Sequence, residues 1–274
     1  MKTILVTGAT GAIGRAACEA LAERDGIHLV MLARDPLKLS ELKNSLPQGR
    51  NIFSTLVTDL SDLNSVRDAV TQVRGSYPNL HALVNVASVF KAKRTLSSQQ
   101  HELMFATNHL GPYLLTTRLL PLLRRTPGSK VITVAAPSTS RLDFNNLNSE
   151  KRFSSLQTFG STKMMNLLMA FGLSASFKDA DHASMAFHPG LVRSELLRES
   201  PMILRKLIHT FSSTPEQTGK ALADLVLTED ARSQNGKFYN KRLRELIAAP
   251  HAYDRVLQHK LWKASESLAS TTLI

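Results

Sequence analysis

Short apolar runs alternate along this chain with longer stretches in which apolar side chains return every three or four positions. The short runs read as strands at Thr3–Thr7, His28–Ala33, Ile52–Val57, Ala82–Val86, Val131–Ala135, Ser184–His188 and Lys237–Tyr239. The longer ones read as amphipathic helices. Ile13, Ala16, Ala17, Ala20 and Leu21 share one helical face, and comparable patterns run from Leu63 to Val73 and from Gln217 to Leu227. Strand followed by helix, repeated in this way, predicts an α/β fold: a doubly wound, mostly parallel seven-stranded sheet with helices on both faces. Two helix starts carry their own markers. Ser97 with Gln100 spells a capping box, and Thr214-Pro215-Glu216-Gln217 combines an N-cap, a proline at the first helical position and a reciprocal Gln. The stretch from Ser138 to Thr158 shows neither period and reads as an irregular insertion.

Composition narrows the class without naming an activity. At 274 residues, with no linker, repeat or compositional break, the chain is expected to form a single domain, 1–274. Aromatics are only 6% of a chain that is 43% hydrophobic, so aliphatic side chains must fill the core, as buried parallel strands require. The lone cysteine, Cys18, lies in an Ala-rich helical stretch, which excludes a disulfide framework and a cysteine metal site and points to a reducing cytoplasm. The first strand follows Met1 directly, so no signal peptide is expected, and no apolar run approaches a membrane span. A net charge of +12 raises nucleic acid as a partner, but its distribution argues otherwise. The clusters Lys91-Lys93-Arg94, Arg124-Arg125, Arg205-Lys206 and Lys241-Arg242-Arg244 fall at helix ends or loops, without the interleaved aromatics that stack bases. The expected partner is a small-molecule substrate, with no specific nucleic acid; a homo-oligomer is compatible with such a chain.

The first strand ends in Gly8-Ala9-Thr10-Gly11-Ala12-Ile13-Gly14 and a helix starts at once. A glycine-rich strand-to-helix turn brings backbone close to a pyrophosphate, and the helix N-terminus offers free N–H groups and a partial positive charge. The setting predicts a Rossmann-type dinucleotide site built on Gly8, Thr10, Gly11, Ile13 and Gly14. After the second strand comes Ala33-Arg34-Asp35, where the adenosine ribose would lie. Arg34 can pair with a 2′-phosphate, so NADP(H) is the expected cofactor, although Asp35 stands beside it.

These residues, with others spread over nearly the whole chain, resemble the short-chain dehydrogenase/reductase superfamily and its retinol-dehydrogenase-like branch. Asp59-Leu60 is similar to the family's adenine-contacting pair, and Leu83-Val84-Asn85-Val86-Ala87 to its Asn-Asn-Ala-Gly strand with two substitutions. Asn108-His109-Leu110-Gly111-Pro112-Tyr113 resembles the Asn-bearing helix of the branch. His188-Pro189-Gly190, with Val192 and Ser194, resembles the segment that holds the nicotinamide carboxamide. The tail, Tyr253-Asp254, Leu261-Trp262 and Ser265-Glu266, is similar to the end of that branch. The spacing of Gly8, Gly11 and Gly14 departs from the usual one and follows the extended and atypical branches. The resemblance implies cofactor contacts from Asp59, Leu60, Asn85, Ala87, Pro189, Gly190, Val192 and Ser194.

The resemblance also implies a Tyr that supplies a proton, a Ser that orients the carbonyl, a Lys that grips the ribose and an Asn that holds a relay water. The Lys falls on Lys163 and the Asn on Asn108, but the Tyr falls on Phe159 and the Ser on Ala136. Losing a positioned general acid typically costs roughly 10²- to 10⁴-fold in rate. Lys163 keeps a use without Tyr, since an ammonium can bond the ribose hydroxyls. Ser138, two positions beyond Ala136, is a candidate replacement hydroxyl; Tyr113 lies about 140° round an ideal helix from Asn108 and points away. His188 reads as packing against the sheet, and Met164 and Met165 as core. Three readings stay open: an NADP(H)-dependent oxidoreductase for an apolar carbonyl or polycyclic compound with a non-standard proton source, a redox-silent NADP(H)-binding sensor or scaffold, and a non-redox lyase, isomerase or cyclase. Substrate walls would come from Ser138 to Thr158 and Leu196 to Phe211, where Arg193, Arg198, Arg205 and Lys206 suggest a polar rim.

Overall fold

Strands that are apolar on both faces need cover on both, and the chain supplies it by passing helices over alternate sides of one sheet. A computed structural model describes residues 1–47, 49–177, 181–192 and 214–270. Its strands are β1 (Lys2–Thr7), β2 (Ile27–Ala33), β3 (Ile52–Val57), β4 (Ala82–Asn85), β5 (Lys130–Val134), β6 (Ala183–His188) and β7 (Phe238–Asn240). They form a seven-stranded sheet in the order β3-β2-β1-β4-β5-β6-β7, and every neighbouring pair runs parallel. The order reverses between β1 and β4, which makes their carboxyl ends the topological switch point where ligands bind in sheets of this kind.

The helices are α1 (Ala12–Ala22), α2 (Pro36–Ser45), α3 (Leu63–Ser76), α4 (Leu103–Phe105), α5 (Gly111–Arg124), α6 (Ser155–Ala175), α7 (Pro215–Leu227), α8 (Ala231–Gln234) and α9 (Arg255–Ser270). The two-residue alternation of β1 sorts its side chains between two cores. Leu5 joins Leu83, Val131 and the apolar faces of α3, α5 and α6, whereas Ile4 and Val6 join Ile132, Val134 and the faces of α1, α2 and α7. Each fully buried aliphatic side chain contributes about 1.5–3 kcal/mol. The family-like tail packs as α9. Tyr253 stacks on Phe171 with centroids 4.7 Å apart, Asp254 caps the helix through the N–H groups of Val256 and Leu257, and Leu261 is buried. Cys18 is buried in α1, and burial raises its thiol far above the usual range.

Two local expectations are corrected. Ser97 and Gln100 do not form a capping box: Gln100 adopts φ 63°, the Ser97 hydroxyl accepts the N–H of His101, and α4 is capped by Glu102 through the N–H of Phe105. A left-handed residue at the Gln position turns the chain back before any helix starts, closing a bridge between Leu96 and Glu102. The irregular insertion ends sooner than expected, because α6 already begins at Ser155. The start at Pro215 stands, though the Thr214 side chain makes no capping bond.

Helix α1 carries the dinucleotide turn and is held by α7 at very close range. A Cβ added at Gly219 would lie 2.3 Å from the backbone of Ala16. Gly219→Ala should therefore destabilise the fold by about 1–3 kcal/mol. By contrast, Gly75→Ala in α3 faces open space and should stabilise by about 0.5–1 kcal/mol. Urea denaturation checks both signs, and two equal effects would contradict this account of the packing.

Candidate active site

At the turn after β1 the backbone folds tightly on itself. Gly8 has φ +64°, and a Cβ there would sit 2.7 Å from the Ala87 Cα; a Cβ on Gly14 would lie 2.1 Å from the Gly8 carbonyl oxygen. Gly11 is the N-cap of α1, with no side-chain capping bond and no acid in the first turn. The first-turn N–H groups have no acceptor inside the helix, so this end suits an anion. Thr10 and Ile13 are half-buried on its rim. Across the switch point, the Thr7 hydroxyl accepts the N–H groups of Val86 and Ala87 at 3.0 and 3.3 Å and donates to the Val84 carbonyl at 3.4 Å. Thr7, which the sequence reading passed over, thus ties the ends of β1 and β4 together.

Arg34 stands exposed just after β2. Its neighbour Asp35 is engaged elsewhere, accepting the N–H groups of Leu37 and Lys38 as the cap of α2. Asp59 is half-buried after β3, with one carboxylate oxygen holding the N–H and hydroxyl of Ser61, and Leu60 is buried. Asn85 departs from the cofactor-contact expectation. Its amide is buried and donates to the Thr116 hydroxyl at 3.0 Å, so the side chain braces α5 from inside the core. Ala87 is half-exposed against Gly8. After β6, Pro189 accepts the Thr218 hydroxyl at 3.4 Å, Gly190 has φ +74° beside the Lys241 side chain, and Val192 is buried. Ser194, Arg193, Arg198, Arg205 and Lys206 lie outside the described residues, as does the segment from Leu196 to Phe211.

Phe159 and Lys163 project from one face of α6, four residues apart. The Lys163 ammonium lies 5.0 Å from the centroid of the Phe159 ring and donates to the Ser88 hydroxyl at 2.9 Å. Burial pushes its pKa down to about 8. Phe90 meets Phe159 edge to face, with centroids 5.6 Å apart, so an apolar wall stands at the usual tyrosine position. Ala136 is half-buried just past β5 and brings no hydroxyl.

The other two catalytic candidates are committed to structure. Asn108 is fully buried in a π-helical segment, Ala106–Leu110; its Oδ1 accepts the Val89 N–H at 2.7 Å, and its Nδ2 donates to the Val89 carbonyl and the Thr162 hydroxyl. Both amide N–H groups are used, so Asn108 fixes the chain after β4 and has no donor left for a relay water. Ser138, the candidate replacement hydroxyl, is also bonded within the fold. Its hydroxyl donates to the Gly160 carbonyl at 2.8 Å and accepts the Ser140 N–H, pinning the insertion to α6. Tyr113 points away as expected, donating to the Trp262 carbonyl. Met164 and Met165 are core. His188 is half-buried at the end of β6 with its Nδ1 unpartnered among the described residues. Burial lowers its pKa against a hydrogen bond to the Ala135 backbone, and the charges of Lys241 and Lys163 lower it further.

The cradle, the open helix end, the exposed Arg34 and the Lys163 donors fit a dinucleotide laid across the switch point. Among the described residues, no helix is long and apolar enough to cross a membrane, and no cluster of potential metal ligands occurs. The sequence model of the family described as short chain dehydrogenase matches residues 2–199. Retinol dehydrogenase 14 of Mus musculus is 29% identical over 97% of this chain and 85% of its own. DnrU of Streptomyces sp. (strain C5), named as a candidate daunorubicin C-13 ketoreductase, is 29% identical over 99% of this chain and 93% of its own. A short chain dehydrogenase from Burkholderia cenocepacia J2315, crystallised in complex with NADP, shares the fold with a TM-score of 0.70 at 18% identity, over 87% of this chain and 95% of that one. The matched family model, the parallel sheet and these relatives together establish that the chain belongs to the short-chain dehydrogenase family of oxidoreductases, in its retinol-dehydrogenase-like branch.

Proposed function

We propose that this chain is an NADP(H)-dependent oxidoreductase acting on an apolar carbonyl or polycyclic compound, with a proton source other than the usual tyrosine. One observation carries the reading. The Lys163 ammonium is kept, buried and pointed at the site, although the hydroxyl it would assist is absent at Phe159. A buried ammonium costs free energy unless something compensates it, and an anionic dinucleotide with ribose hydroxyls would do so. The pyrophosphate would rest on Gly8, Gly11 and the first turn of α1, the 2′-phosphate against Arg34, and the nicotinamide ribose on Lys163. When bound, the reduced nicotinamide supplies hydride.

For the substrate class, Phe90 and Phe159 offer an apolar surface beside the ammonium, and the names of two relatives refer to retinol and to a daunorubicin ketone. The NADP in the Burkholderia crystal structure supports the choice of cofactor. The lone buried Cys18 suits a reducing, cytoplasmic setting. The redox-silent reading has its own support: Phe90 packs on Phe159 and fills with carbon the place of the missing acid.

NADPH should bind more tightly than NADH, and Arg34→Ala should remove that preference by weakening NADPH alone. Fluorescence titration of both cofactors measures this; equal affinities in the parent chain would remove Arg34 from the site. The pair Phe159→Tyr with Ala136→Ser should leave NADPH affinity nearly unchanged while raising reduction of activated ketones or quinones by up to about 10²-fold. If the double variant and the parent both hold NADPH and reduce nothing across a broad carbonyl panel, the redox-silent reading replaces this one.

A further inference from the structure

A carbonyl that accepts hydride must also accept a proton on oxygen, and the positions where the resemblance implies the proton-donating Tyr and the orienting Ser hold Phe159 and Ala136. Of the hydroxyls near them, that of Ser138 donates to the Gly160 carbonyl and that of Thr162 to the Phe159 carbonyl. Ser88 differs. It is half-buried just beyond β4, on the carboxyl edge of the sheet, and its Oγ accepts from Lys163 at 2.9 Å. An oxygen that accepts still holds its own proton, and among the described residues Ser88 gives that proton to no one. Its backbone neighbours are fixed on both sides, by Thr7 at Ala87 and by Asn108 at Val89. Held this way, the hydroxyl stays on the ammonium. In the Asn-Asn-Ala-Gly pattern the chain resembles, Ser88 stands in place of the final Gly, so this hydroxyl is an addition where two others have been lost.

We propose that Ser88 is a catalytic residue of this chain, its hydroxyl donating the proton to the carbonyl oxygen of the substrate while Lys163 replenishes it. The inference rests on the oxidoreductase reading above. As hydride from the reduced nicotinamide dinucleotide forms the new C–H bond, the carbonyl oxygen takes the Ser88 proton and becomes an alcohol. Ser88 Oγ takes a proton from Lys163 Nζ, and the neutral amine regains one from water. The nicotinamide is oxidised and the carbonyl reduced, with no charge left on serine. A lysine whose pKa burial brings down to about 8 can release a proton near neutrality, which a free lysine does poorly. The groups facing it include His188 from the end of β6 and, beyond His188, Lys241 after β7; neither is an acid that would hold the charge in place.

The test compares Ser88→Gly and Ser88→Ala with Ser88→Thr, which keeps the hydroxyl. NADPH affinity by fluorescence should change little in all three. Carbonyl reduction at saturating NADPH should fall by about 10²-fold in the first two and recover in the third. In the parent, turnover should decline as pH rises through the Lys163 pKa, which burial brings to about 8 in the free chain and an anionic dinucleotide raises, and that limb should be absent from Ser88→Gly. Undiminished turnover in Ser88→Gly and Ser88→Ala overturns the relay while leaving the oxidoreductase reading intact. Loss of NADPH binding in step with turnover also overturns it, since Ser88 would then serve the cofactor alone. A parent chain that binds NADPH and reduces nothing overturns both.

Discussion

The gap between the carboxyl ends of β1 and β4 is the constraint on which the site depends, because only there does the parallel sheet open a crevice toward a ligand. Its width is set by backbone contact. Gly8 lies against Ala87 so closely that no side chain fits between them, and Gly14 lies over the Gly8 carbonyl. The Thr7 hydroxyl bonds across the same gap to Val86 and Ala87. A shift of β4 would therefore move the phosphate turn and the chain carrying Ser88 together. The close fit of α7 on α1 at Gly219 supports the same turn from behind.

The second constraint is electrostatic. The ammonium of Lys163 is buried with a hydroxyl and an aromatic face as its described partners, and desolvation is what depresses its pKa. A carboxylate in that place would lock the charge; a hydroxyl leaves it able to give up a proton. The same chain buries another lysine differently. Lys130 sits under the carboxyl end of α7, where it donates to the carbonyls of Leu225 and Thr228, partners suited to a cation at a helix terminus. One buried lysine thus finishes a helix, and the other faces the crevice.

Much of this was legible in sequence because it is local or periodic. The strands fall within one position of where the apolar runs place them, and Gly8 to Gly14 announce the turn by being followed at once by α1. Lys163 and Phe159 share a helical face by spacing alone. Side-chain commitments across the fold were not legible. Asn108 spends its amide on Val89, Asn85 turns inward to Thr116, and Ser138 bonds back to α6, each through a partner 19 to 31 positions away. The Ser97 marker failed for a local reason, since the left-handed backbone of Gln100 is invisible to a pattern of residue types. Ser88 went unnoticed because its meaning lies in a contact with a lysine 75 positions on.

The central claim is that the crevice still delivers hydride although the tyrosine is a phenylalanine. It is tested most directly by following deuterium from NADPH labelled at the nicotinamide C4 on the transferring face, with an activated ketone as acceptor and mass spectrometry of the product. The account predicts deuterium on the former carbonyl carbon in step with NADPH consumed, and none when Lys163→Ala is used. Label that stays on bound cofactor, with product unlabelled and NADPH unconsumed, would contradict it.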